Sequence, residues 1–302
     1  MLSSVRSGFS FTILLALTVF LISSLASFAV ADTEKAKEHF NTGIKAKQEG
    51  NDEAAIAAYN EAIKEDAEFV DAYINLGAIY FEKNDYANAL DMFRTASEKD
   101  AANPDVFANL GRVEYKLKKY VEAETAFKTA IGLDSKNAEL YKDLGKVYFA
   151  KGNYPVLIET LNNCHANGGG DYLTHYMLGK AYSKTEKMNE AIASLKKAIE
   201  LNSSYYNSHF TLGQIYLSAE KFDLAASAFK AAQKAGPKKY QASYNYAVAV
   251  ESANPDDIAG AIAVWEGFIK LAKKVPKAKS DLAIAQQHVK DLKERQQQEA
   301  LN

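Results

Sequence analysis

Few side chains in this sequence invite reactive chemistry. The single cysteine, Cys164, is followed directly by His165, and a thiol beside an imidazole is the raw material of a nucleophile pair. Neighbouring residues on a helix point to different sides, however, so the thiol and the ring of such a pair do not meet. Ala130 and Ala198 stand at equal distances before and after Cys164, an interval that recurs along the whole chain, so the thiol reads as a small buried packing group. His39, His175 and His209 fall at multiples of the same interval. They share a position with Tyr73, Phe107 and Tyr141, which reads as a flat ring filling a pocket and not as a metal ligand. The stretch Leu178-Gly179-Lys180 lacks a phosphate-binding loop, because Thr174 stands where that loop needs glycine. No hydrolase, zinc or haem motif is present. The sequence therefore reads as a non-enzyme with no cofactor and no metal.

Charge at the same interval is more informative. Arg112, Lys146 and Lys180 are spaced by it, and Lys116, Lys142 and Lys184 lie one helical turn or so away. Aromatic rings at Tyr115, Phe149 and Tyr176 accompany them. Such a set could hold an acidic segment with apolar anchors, or it could be a solvated face in which Asp143 pairs locally with Lys146.

The interval itself comes from the glycines. Gly43, Gly77, Gly111, Gly145, Gly179 and Gly213 are evenly spaced, most within Leu-Gly-x-x-Tyr. A fixed period of roughly 34 residues marks a repeat array. In residues 70–103, Tyr73, Leu76 and Tyr80 share one helical face, "KND" interrupts, and Ala89, Phe93 and Ala96 form a second face. One unit is thus two short antiparallel helices. A glycine inside a helix costs about 1 kcal/mol against alanine, so close approach of the second helix must return more. Asp71, Asp105 and Glu139 fall where carboxylates complement the start of a helix.

The set Tyr73, Leu76, Gly77, Tyr80, Ala89 and Phe93 resembles the tetratricopeptide repeat (TPR) pattern. The third unit (Phe107, Leu110, Gly111, Ala123, Phe127, Ala130) and the sixth (Leu212, Gly213, Tyr216, Ala225, Phe229, Ala232, Pro237) match closely. The fourth departs, with Leu157 and Cys164 in the small slots, Pro155 near the helix start and "NGGGD" at its end. The seventh is degenerate, with Ala247 for glycine and a turn lengthened by "ANPDD". The resemblance implies an all-α fold: a right-handed superhelical solenoid of six clear helix-turn-helix units, a degenerate seventh and a C-terminal capping helix. It also implies that the first helices line a concave, peptide-binding groove. The candidate groove residues are Arg112, Tyr115, Lys116, Lys142, Lys146, Phe149, Tyr176, Lys180 and Lys184. Asn75 and Asn109 sit in slots of the family's carboxylate clamp, but the flanking lysines do not, so that activity is not assigned.

The chain has 302 residues, 48% apolar, with a formal charge of -2, no basic domain and no run of like charges. Nucleic acid is not an expected partner, nor is a small-molecule substrate. Residues 1–31 combine Arg6, an apolar run and Ala29-Val30-Ala31, the pattern of a signal peptide cleaved after Ala31. The alternative is an uncleaved anchor over residues 9–31. The expected organisation is residues 1–31 as signal, 32–275 as solenoid and 276–302 as capping helix and polar tail. The expected function is a periplasmic or secreted protein-binding scaffold that assists assembly of an envelope, surface or secretion complex. The alternatives are a self-assembling structural protein whose groove takes a neighbour's terminal segment, or a membrane-tethered scaffold.

Overall fold

A computed structural model describes residues 33–301. The signal or anchor reading of residues 1–31 lies outside the described residues. These are almost wholly helical, with no strand among them. The chain divides into two compact units, the first ending at Lys136 and the second beginning at Asn137.

The first unit holds three helix pairs: α1 (33–48) with α2 (Asp52–Glu65), α3 (Val70–Glu82) with α4 (Tyr86–Lys99), and α5 (Pro104–Lys116) with α6 (Tyr120–Leu133). The second holds α7 (Ala138–Lys151) with α8 (Tyr154–Ala166), α9 (Tyr172–Lys184) with α10 (Met188–Leu201), α11 (Tyr206–Ser218) with α12 (Phe222–Ala235), and α13 (Tyr240–Ala253) with α14 (Ile258–Ala272). A 3-10 turn (Pro276–Ala278) leads into α15 (Lys279–Leu301). Within each unit the helices pack on their neighbours in chain order, and successive first helices, such as α7 with α9 and α9 with α11, also touch.

The repeat glycines are where the helices meet. A Cβ on Gly77 would come within 3.0 Å of the Phe93 ring, one on Gly179 within 2.6 Å of Leu195, and one on Gly213 within 2.7 Å of Phe229. Each clash is with the large residue at the matching point of the second helix in the same pair. The small slots beside it are sealed: Ala55, Ala89, Ala123, Ala191 and Ala225 are wholly buried, as are Ala62, Ala96, Ala130, Ala198 and Ala232.

The fourth pair keeps this plan with different volumes. Leu157, Leu161 and Cys164 are wholly buried. The larger cysteine is accommodated by Gly169, whose Cβ would sit 2.7 Å from both Cys164 Sγ and Ala138 Cβ. The glycine-rich turn is therefore the counterpart of the cysteine. In the last pair Ala247 joins Trp265 and Phe268 in a core that α15 completes with Ala285, Val289 and Leu292. Trp265 Nε1 donates to Glu251 Oε2 at 2.7 Å, and His288 from α15 reaches the same carboxylate at 2.9 Å.

Candidate interaction groove

Two first helices of the second unit, α7 and α9, present six of the nine residues that carried the sequence-level groove, and α11 stands beside them. On α7, Lys142 is drawn into two ion pairs, with Glu139 at 3.0 Å and Asp171 at 3.1 Å. Burial alone would lower its pKa, but these two carboxylates hold it above the ordinary lysine value. Asp171 is the N-cap of α9. Burial would raise its carboxyl, but the Thr174 backbone N–H and Lys142 hold it below the usual carboxylate range. Lys146 pairs with Asp143 at 2.7 Å, and that carboxylate is itself buried. Two of the expected cations are thus neutralised within the fold.

Lys180 and Lys184 on α9 differ. Among the described residues neither has a carboxylate within 4.0 Å. Lys180 Nζ lies 5.3 Å from the centre of the Phe149 ring instead, a cation–π contact worth about 0.5–1 kcal/mol when exposed. Phe149 packs against Tyr176 at 6.2 Å, and Tyr176 against Tyr205 at 5.2 Å. Burial, followed by the nearby Tyr205, pushes the Tyr176 hydroxyl above its ordinary pKa.

Beside these lysines is an open groove of about 430 Å³. One wall is Tyr176, Lys180, Ser183 and Lys184 of α9; the other is Asn207, Phe210, Thr211, Gln214 and Ser218 of α11. The α11 wall carries amide and hydroxyl groups and no formal charge, so it can hydrogen-bond a peptide backbone while the lysines supply the charge.

Tyr176 departs from the expectation of open apolar area: it is 8% exposed and contributes an edge only. The ring is drawn inward because its neighbours Phe149 and Tyr205 pack around it. Phe149 and Phe210, both partly exposed, are the accessible aromatics. The α11 residues escape a sequence reading that follows charge. Phe210, Gln214 and Ser218 lie one repeat beyond Tyr176, Lys180 and Lys184, so following position finds them.

Arg112, Tyr115 and Lys116 belong to the first unit. Arg112 Nη1 donates to Asn109 Oδ1 at 3.2 Å and borders a smaller cavity of about 100 Å³ with Ala78, Phe81 and Phe93. Tyr115 packs on Tyr120 at 5.8 Å, and Lys116 is exposed.

The candidates for reactive chemistry take part in packing and hydrogen bonding. Cys164 is wholly buried, and burial pushes its thiol above the ordinary value. His165 Nε2 lies 3.1 Å from Thr174 Oγ1, and its ring packs on His175, ring centres 4.5 Å apart. Burial lowers both imidazole pKa values, and the repulsion of His165 lowers His175 further. His209 Nε2 meets the Ser203 carbonyl at 2.9 Å, as the Tyr73 hydroxyl meets the Ala67 carbonyl at 3.2 Å. The shared slot inferred from the repeat interval is therefore real. Among the described residues no group of three or more His, Cys, Asp or Glu side chains is placed to hold a metal.

The glycine contacts, the sealed alanines and the paired helices define a helix-hairpin repeat protein. Models of the tetratricopeptide repeat match residues 47–83, 80–129 and 111–152, and again 176–239 and 210–264, and the chain belongs to that family. Similar solved structures include a crystal structure of MamA (25% identity, 55% of this chain and 91% of that one, TM-score 0.53). A crystal structure of YrrB, described as a TPR protein with an unusual peptide-binding site, is 24% identical over 59% of this chain and 91% of its own, with a TM-score of 0.53. The C-terminal part of a TPR repeat-containing protein from Cytophaga hutchinsonii is 20% identical over 80% of this chain and 99% of its own, with a TM-score of 0.65. At these identities the likeness speaks to fold. No curated protein sequence matches the chain significantly.

Proposed function

We propose that this protein is a non-catalytic scaffold that binds an extended segment of another protein in the groove between α9 and α11. The observation that carries this reading is the pair Lys180 and Lys184, without carboxylate partners among the described residues, facing an uncharged hydrogen-bonding wall across about 430 Å³ of open space. Such a groove favours a segment with carboxylates spaced to meet the lysines and an apolar side chain to rest on Phe149 or Phe210. That a YrrB structure of the same fold is described by its peptide-binding site supports the choice of ligand class. A photo-crosslinking residue at Ser183 should capture the partner from a lysate of the source cells, and the same residue at Gln233, on a second helix, should not. Equal capture from both positions would remove the groove from the account.

The exported setting, and with it a role in assembling an envelope or surface complex, rests on residues 1–31. Amino-terminal sequencing of the protein from its native source should begin at Asp32. An intact Met1 on membrane-bound material would favour the anchor.

A further inference from the structure

The connections from each second helix to the next first helix occupy the same place in every repeat, and their charge reverses along the chain. Residues 65–71 carry four acids and no base; residues 98–105 carry three acids and Lys99. Residues 234–240 carry three lysines and no acid, and residues 270–279 carry five lysines and no acid. The two units follow the same sense: residues 33–136 hold 20 acids and 14 cations, net -6, whereas residues 137–301 hold 17 acids and 21 cations, net +4.

The two lysine-rich connections are neighbours in space, for the Tyr240 hydroxyl donates to the Lys277 carbonyl at 3.4 Å. Lys238, Lys239, Lys273, Lys274, Lys277 and Lys279 are all exposed. Among the described residues none has a carboxylate within 4.0 Å, and Lys239 lies over the Tyr206 ring at 3.9 Å. A cleft of about 650 Å³ between α14 and α15 continues the surface, with Ile269 and Val289 in its floor and Lys270, Lys273 and Lys274 on its rim. Glu266, the acid in that cleft, is held by Lys293 at 2.7 Å. On the acidic connections, by contrast, Glu65 and Glu68 have lysine partners and the other five acids leave a net negative edge.

We propose that the lysine edge formed by the α12–α13 and α14–α15 connections docks a second copy of this chain, through the acidic α2–α3 and α4–α5 connections of that copy. The contact joins unlike surfaces, so a joined pair keeps one acidic and one basic edge unused, and further copies add in the same sense. Exposed charges set the encounter, so the association weakens with salt. This surface is separate from the α9–α11 groove, and the proposal does not depend on what that groove binds.

Sedimentation of the full chain tests it. Average mass should rise with protein concentration at 30 mM salt and return to the monomer at 500 mM, with the dissociation constant rising at least about tenfold between them. A basic-edge variant (Lys273→Glu, Lys274→Glu, Lys277→Glu) and an acidic-edge variant (Glu68→Lys, Asp71→Lys, Glu98→Lys), each with unchanged helicity by circular dichroism, should be monomeric alone. Each variant keeps one native edge and one reversed edge, so combining both triple changes in a single chain should restore association. Monomer at every concentration at 30 mM salt would overturn the proposal, as would association that neither variant alters. Binding of the chain to phosphatidylglycerol vesicles, abolished by the basic-edge variant, with no copy–copy association, would overturn it in favour of a lipid surface.

Discussion

Glu114 occupies the repeat position that Tyr80, Tyr148, Tyr182 and Tyr216 hold in other units. It is 6% exposed, and its Oε2 has no hydrogen-bond partner. Burial raises its carboxyl pKa to about 7; Glu122 adds to the rise, and Arg94 and Lys119 oppose it. A carboxyl raised in the folded state binds its proton more tightly there than in the unfolded chain, where the ordinary value is 4.5. Its contribution to stability is therefore fullest below pH 4.5, is lost as pH rises to about 7, and is level above that. Glu114→Gln removes the ionising group, so it should stabilise the fold by about 1–3 kcal/mol at pH 8 and leave it nearly unchanged at pH 4.5. Urea midpoints at the two pH values measure this, and an equal effect at both would show that burial of the charge is not the cause. Two glycines give an opposed pair. At Gly179 a methyl group would press on Leu195 and come within 3.2 Å of the Ala191 carbonyl oxygen, so Gly179→Ala should destabilise by about 1–3 kcal/mol. At Gly267, inside α14, nothing lies within 4 Å of the added carbon, so Gly267→Ala should stabilise by about 1 kcal/mol. Thermal unfolding of the two variants compares them directly.

Among the elements, the tight turn within each helix pair shows a regularity that residue types conceal. Gly50, Asn84, Lys118, Gly152, Glu186 and Glu220 recur at the repeat interval, and all have positive φ, between 56° and 76°. In each turn the next backbone N–H returns to a carbonyl at the end of the first helix, as from Asp85 to Tyr80 at 2.8 Å and from Lys221 to Tyr216 at 2.9 Å. This is the left-handed helix ending that glycine and asparagine adopt at least cost. Lysine or glutamate there bears a strain of about 1–2 kcal/mol, which the packing of the repeated pairs overrides. Glu220→Gly should relieve it, raising stability by about 0.5–1 kcal/mol after the larger chain entropy of glycine is subtracted. A lower urea midpoint for this variant would contradict the assignment. The same turns mark the limit of what could be read in advance. The period, the paired helices, the glycine contacts and the small second-helix slots were legible because each is a side-chain volume repeated at one spacing. The left-handed turns were not, because half of them carry residues with no preference for that backbone. The lysine edge was missed for a related reason: its charges alternate with Val275, Pro276 and Ala278 in the sequence and converge only when two connections meet.

For the molecule as a whole, a repeat array builds a long surface without a single central core, and function lies in which stretch of that surface is left unpaired. Charge alone suggested a ladder of Arg112, Lys146 and Lys180. The fold changes its weight: Lys146 is committed to a buried aspartate, Arg112 lies in the other compact unit beside Asn109, and Lys180 with Lys184 stands at the mouth of a groove with no carboxylate partner among the described residues. The central claim is that these two lysines and the α11 wall hold an acidic segment of a partner. The direct measurement is the association and dissociation rates of the crosslinked partner with the native chain and with the Lys180→Glu, Lys184→Glu double variant, at low and physiological salt. Reversal should slow association by about tenfold or more at low salt and change dissociation less, since exposed charges act mainly on encounter, and the difference should shrink as salt rises. A folded double variant that associates with the partner at the native rate at both salt concentrations would contradict the claim.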